Sequence, residues 1–134
     1  MNIELKLARR FKTNNPFVIA QGLGIDIRYA DLGPSTRGIY LRKLKHRCIF
    51  ISNNLDDHWQ RFVCAHELGH DRLHPGISRF WLDKNTLYNA GKYERQANVF
   101  ALNLLTVDLV PHQLETIEDF LVRNSIPKEM AIYY

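Results

Sequence analysis

Apolar residues recur at helix and strand spacings along most of the chain. Ile3, Leu5, Leu7, Ala8 and Phe11, set among charges, predict an amphipathic helix from residue 3 to about 12. Asn15-Pro16 supplies a cap and a first helical position for a short helix through Phe17, Val18, Ala20 and Gln21, which stops near Gly22 or Gly24. Residues 25–29 alternate and read as a strand. Gly33-Pro34 marks a loop within residues 31–35. Residues 37–41 and 47–51, rich in Ile, Tyr and Phe, predict two more strands joined by a turn at 43–46.

The second half reads as mainly helical. Ser52-Asn53-Asn54 ends the sheet, and Asn54 or Asp56 can cap a helix over about 55–73 that carries Trp59, Phe62, Val63, Ala65 and His66 at three- and four-residue steps. His74-Pro75-Gly76 terminates it. A loop-like stretch with Phe80, Trp81 and Leu87 reaches to about Gly91. A second strong helix covers about 92–107, with Ala97, Phe100, Ala101, Leu104 and Leu105 as its apolar face. Pro111 breaks the chain before a third helical pattern at 114–123, and Ile126-Pro127 opens a short C-terminal helix or tail. No repeat or domain boundary interrupts residues 1–134. Helices, then three strands, then helices predict a single α+β domain, with a small three-stranded sheet packed against the helices.

Composition narrows the class. The chain has 134 residues, 46% hydrophobic and 24% charged, with a net charge of +4, and suffices for one hydrophobic core. The one basic cluster, Arg42, Lys43, Lys45, His46 and Arg47, reads as a solvated hairpin turn rather than a nucleic-acid contact. No apolar run approaches the roughly 20 residues that span a bilayer, and the first residues lack the apolar segment of a secretory signal. Cys48 and Cys64 lack CxxC spacing and sit in apolar stretches, so they read as small core residues. A reducing cytoplasm fits best.

The chemistry is concentrated in His66-Glu67-Leu68-Gly69-His70. Histidines four apart on a helix share a face, so both imidazoles can reach one metal ion at about 2.0–2.1 Å. Glu67, one residue round, can stand beside the ion without binding it and take a proton from a water that the metal acidifies. Chance occurrence on a surface helix is the competing explanation. Here, however, Phe62, Val63, Cys64, Ala65 and Leu68 surround the motif, where bare imidazoles and a carboxylate are costly to bury.

A catalytic zinc takes three protein ligands. His74 is nearest, but HExxHxxGxxH spacing would need glycine at 73 and histidine at 76, where this chain has Leu73 and Gly76. His74 therefore reads as a helix-end residue or a support for a ligand. Glu94, in the first turn of the next strong helix, is the better third ligand, with Asp71 and Asp83 as runners-up. Glu94, Ala97, Asn98 and Ala101 share a face, and the alanines permit close approach of the two helices. Asn98 is placed to hydrogen-bond a ligand or the neighbouring backbone. Two His and a carboxylate also suit manganese or iron. Tyr88, Tyr93 and His112 are candidate oxyanion donors, each more simply read as packing or surface.

With those residues in place, the chain resembles the ImmA/IrrE family of metallopeptidases. The likeness rests on His66-Glu67-Leu68-Gly69-His70 with His74-Pro75, on Glu94-x-x-Ala97-Asn98-x-Phe100-Ala101 with Leu104-Leu105, and on Asn15-Pro16-Phe17 followed by Leu23-Gly24-Ile25. It spans about residues 15–107, which would form the catalytic core, with 108–134 as a helical tail. The resemblance implies a zincin-like domain with a gluzincin-like site: zinc on His66, His70 and Glu94, and Glu67 as general base. It also implies a protein substrate, a helix-turn-helix repressor whose cleavage relieves repression of a prophage, mobile element or stress regulon. The family often continues into Leu-Leu-Met-Pro, whereas this chain has Leu104-Leu105-Thr106-Val107 and reaches proline only at Pro111. Two other readings compete: a zincin-fold module that sequesters a regulator without cutting it, and DNA binding through the basic hairpin, which no helix-turn-helix pattern supports. The sequence leaves the oligomeric state open.

Overall fold

The computed structural model describes residues 2–84 and 90–134. Helix α1 (Ile3–Phe11) starts at Asn2, whose side chain accepts from the Leu5 N–H. Helix α2 (Pro16–Gly22) starts at Asn15, which accepts from Phe17, with Pro16 in the first turn. In both, the side-chain oxygen satisfies a backbone donor that the first turn leaves unpaired. Strands β1 (Asp26–Ala30), β2 (Thr36–Lys43) and β3 (His46–Ser52) follow, then helix α3 (Asp57–Leu73), capped by Asp56.

After α3 the chain departs from expectation. Residues Arg79–Asp83 form a further strand, β4, where the sequence predicts loop. Its alternation is real but short: Phe80 and Leu82 point inward while Arg79 and Trp81 are exposed. Five residues give too little period-two signal to outweigh the preceding Pro75-Gly76, and pairing with β2 is what fixes the strand. The sheet therefore has four strands, in the order β1-β3-β2-β4. Strand β1 runs parallel to β3, and both other pairings are antiparallel.

Helix α4 (Lys92–Leu105) stops two residues earlier than expected, at Thr106, whose Oγ1 bonds the Leu102 carbonyl. Helix α5 (Ile117–Arg123) begins later than its apolar pattern suggests. Leu114 has φ 67°, a left-handed conformation that a helix interior excludes for leucine, and Thr116 provides the cap. A 3-10 turn over Lys128–Tyr133 seats Met130 in the core. Among the described residues no helix is long and apolar enough to cross a membrane.

Helix α3 is the centre of the molecule. Every residue from Phe62 to Asp71 is buried, because the sheet covers one side while α2 and α4 cover others. Two glycines set the spacing. A Cβ on Gly38 of β2 would lie 2.4 Å from Val63 Cγ1, and one on Gly69 would lie 2.9 Å from Phe100 Cδ1. The first glycine lets the sheet close on α3, and the second lets α4 do so, helped by the fully buried Ala97 and Ala101. Cys48 and Cys64 are free and buried.

The basic hairpin differs from a simple solvated turn. Lys43, Leu44 and Lys45 are exposed at its tip, but Arg47 turns inward. It bonds the Asp71 carboxylate at 3.0 and 3.1 Å and the Leu23 carbonyl.

Candidate metal centre

His66 and His70 stand one turn apart on α3, and Glu94 approaches them from the first turn of α4. The His66 Nε2 lies 2.8 Å from Glu94 Oε2, and His70 Nε2 lies 3.0 Å from Glu94 Oε1. The two Nε2 atoms are 3.1 Å apart. Glu67 joins the cluster with Oε1 3.9 Å from His66 Nε2. His66, Glu67 and His70 are fully buried, while the Glu94 side chain retains 21% exposure and forms the wet side of the group. Leu68 fills the core and Gly69 admits Phe100, so the residues between the two histidines serve packing.

The residues expected to support the ligands lie close by. Asn98, one turn beyond Glu94, places Oδ1 2.7 Å from His66 Nδ1. An amide oxygen only accepts, so the His66 proton sits on Nδ1 and the Nε2 facing Glu94 carries a lone pair. His74 ends α3, where its backbone N–H donates to the His70 carbonyl. Its ring Nδ1 lies 3.0 Å from His70 Nδ1. Of the alternatives for a third ligand, Asp71 faces away, bonded to the Tyr40 hydroxyl at 2.6 Å and to Arg47 and Arg72. Asp83 lies in β4. Tyr88 lies outside the described residues, Tyr93 packs edge-on against His74 at 4.6 Å between ring centroids, and His112 is in the exposed segment after α4.

Phe80 is a site residue that sequence reasoning places in a loop. Its ring stacks on His70 with centroids 3.6 Å apart and planes 9° from parallel, which fixes the plane of that imidazole. The Phe80-x-Leu82 alternation is the signal that could have found it.

Electrostatics single out Glu67. Burial, and then the charge of Glu94, push its carboxyl well above the usual carboxylate range. Both of its oxygens are buried without a hydrogen-bond partner among the described residues. Burial also lowers His70 to about 4, so that ring is neutral at physiological pH. Burial alone would raise Glu94, but hydrogen bonds and charge from the two histidines outweigh it and bring it to about 2. Those bonds would need protons on the Nε2 atoms, whereas the Asn98 contact puts the His66 proton on Nδ1. The Asn98 contact is short and buried, and an amide oxygen there can only accept. Two imidazole nitrogens and a carboxylate then converge as acceptors beside a partnerless second carboxylate. This donor set fits a divalent cation of the zinc, manganese or iron type.

Residues 20–116 match the peptidase M78 family model, described as an IrrE N-terminal-like domain. The chain is 35% identical over 130 residues to immunity region protein 2 of Bacillus phage phi105, covering 94% of this chain and 82% of that protein. It is also 35% identical over 97 residues to the metallopeptidase ImmA of Bacillus subtilis (strain 168), covering 72% of this chain and 56% of that protein. The chain thus spans little more than half the length of that metallopeptidase. With so much of the sequence matched, and the His66-Glu67-x-x-His70 helix inside the matched region, the chain belongs to the ImmA/IrrE family of metallopeptidases.

Proposed function

We propose that the protein is a zinc-dependent endopeptidase with a zincin-like, gluzincin-type site: His66, His70 and Glu94 hold the metal and Glu67 is the general base. The convergence of His66 Nε2, His70 Nε2 and the Glu94 carboxylate within 2.8–3.1 Å carries this reading. A divalent ion bound there would acidify water and polarise the scissile carbonyl. Glu67 supplies proton transfer. Its carboxyl is held high by burial, and a nearby dication would draw it back towards the range where it can accept a proton at neutral pH and return it to the leaving amine. Asn98 and Phe80 orient His66 and His70, so that little motion is needed when the reacting groups meet. Strand β4 lies at one end of the strand order among the described residues and carries Phe80 against His70. An extended peptide adding to that edge would run past the centre.

The substrate we propose is a helix-turn-helix repressor. The support is the phage relative, an immunity region protein, together with the family resemblance. Residues 1–134 act as one domain in this reading, in the cytoplasm. The test pairs metal analysis with cleavage. The protein should hold about one zinc per chain. Glu67→Gln should keep the metal while cleavage of a cognate repressor, followed by fragment mass, falls by about 10²–10⁴. Undiminished cleavage by that variant would overturn the mechanism. A zinc-loaded wild type that binds the repressor and leaves its mass unchanged would favour sequestration instead.

A further inference from the structure

His70 has a support of its own, and it comes from a residue that helical spacing does not reveal. His74 Nδ1 is 3.0 Å from His70 Nδ1, and His74 Nε2 is 2.7 Å from Gln96 Oε1 on α4. His70 and His74 are buried, so their protons are arranged by protein partners rather than by bulk water. A neutral imidazole carries one N–H and one lone pair. Gln96 Oε1 accepts, so the His74 proton sits on Nε2 and His74 Nδ1 is an acceptor. The proton in the His70–His74 contact then belongs to His70 Nδ1. The atom left with a lone pair is His70 Nε2, which faces His66 Nε2 at 3.1 Å and Glu94 Oε1 at 3.0 Å.

We propose that Gln96 is a positioning residue for the metal centre: acting through His74, it keeps the His70 proton on Nδ1 and so keeps Nε2 free to ligate. This rests on the metal-site reading above. Ring orientation is fixed separately, by Phe80 stacked on His70 and by Tyr93 edge-on to His74. Gln96 therefore controls where a proton resides, not where a ring points. The two ligand histidines receive the same instruction by different routes. His66 gets it directly from Asn98, and His70 gets it through one intervening imidazole. Gln96 itself is exposed, so its substitution leaves the core packing intact.

The test reads tautomers and metal affinity independently of catalysis. Long-range proton–nitrogen NMR on the metal-free full chain at alkaline pH should show His70 protonated on Nδ1 and His74 on Nε2. At the same alkaline pH, Gln96→Glu keeps an acceptor and should preserve both tautomers and the zinc affinity, measured there by chelator competition. Gln96→Leu removes the acceptor, should mix the tautomers, and should weaken zinc binding by about 10- to 100-fold. Gln96→Lys offers only donors, should drive the proton order backwards onto His70 Nε2, and should weaken zinc binding more than leucine does. A merely structural contact would not produce the order Gln and Glu, then Leu, then Lys. Equal zinc affinity in all four proteins, or a wild type with His74 protonated on Nδ1, overturns the proposal. Wild-type protein with the expected tautomers that takes up no zinc overturns the metal reading, and the claim about ligation with it. Zinc uptake with the wrong His74 tautomer overturns the relay alone.

Discussion

Two buried polar networks lie back to back on α3, and they are built on opposite rules. On one side Asp71 is saturated: its carboxylate accepts from the Tyr40 hydroxyl, from Arg47 and from Arg72. Burial alone would raise its carboxyl, but these bonds and the two guanidinium charges bring it below the usual range. One residue earlier, His70 belongs to a cluster of acceptors that face one another, next to a carboxylate with no partner among the described residues. A network whose charges and hydrogen bonds close on themselves ties β2 and β3 to the helix. A network that leaves lone pairs and an acid unmatched is costly to fold, and is explained by what it binds.

The contrast can be broken at either network. The largest effect on stability is expected from Asp71→Ala, which strands the Tyr40 hydroxyl and two guanidinium groups. Breaking a buried pair costs about 3–5 kcal/mol, and because Arg47 and Arg72 keep 21% and 26% exposure the low end applies. Urea unfolding of the metal-free protein should show it, with zinc uptake by the remaining folded fraction retained.

Acid separates the two networks by pH. His70 is lowered to about 4 in the folded state, against about 6.5 unfolded, so between these values the unfolded chain binds the extra proton. Stability is then complete above about 6.5 and declines as pH falls towards 4, by roughly 3 kcal/mol for the metal-free protein. Asp71, lowered from the ordinary carboxylate range, keeps its contribution through that interval and loses it only at lower pH. Glu67, whose carboxyl is raised, has the opposite slope in this range, so the profile is read in Glu67→Gln: its unfolding free energies, measured from neutral pH downward, should fall first with His70. A flat profile between 6.5 and 4 would contradict the assignment of a buried neutral ring.

Packing between the networks is the next lever. Gly38→Ala places a Cβ against Val63 and near Glu67 Cγ at 3.6 Å, and should cost about 1–3 kcal/mol through strain at the sheet–helix contact. Thermal unfolding reads the cost. The smallest effect has the opposite sign. Glu67→Met replaces a partnerless buried acid with an unbranched apolar chain and should stabilise the metal-free protein by about 1 kcal/mol, while abolishing cleavage. A matching loss of stability would mean that Glu67 serves the fold.

The helices, and the starts of α2 and α3, were legible because their causes are local. Asn15 and Asp56 each cap a helix through a side-chain oxygen that reaches two or three residues on, and α3 and α4 carry their apolar periods openly, whereas the Thr116 start of α5 was hidden behind Leu114. Strand β4 was not legible, since its five residues gain their conformation from β2, whose sequence lies some forty positions away. The inward turn of Arg47 was hidden for the same reason. Nothing in a run of basic residues says which of them will meet an aspartate from another element.

At the site the division is just as clear. The sequence by itself determined that His66 and His70 share a face with Glu67 beside them, because helix geometry converts a spacing of four into proximity. It also nominated Glu94 and Asn98, one turn apart on a helix with small residues at its contact face. Only the tertiary structure decided that Asn98 meets His66, that Phe80 covers His70, and that Gln96 addresses His70 through His74. Those contacts join residues from different elements, so their distances depend on how closely β2, β4 and α4 pack around α3. Gly38 and Gly69 permit that closeness, and glycines in a sequence do not announce which neighbour they admit.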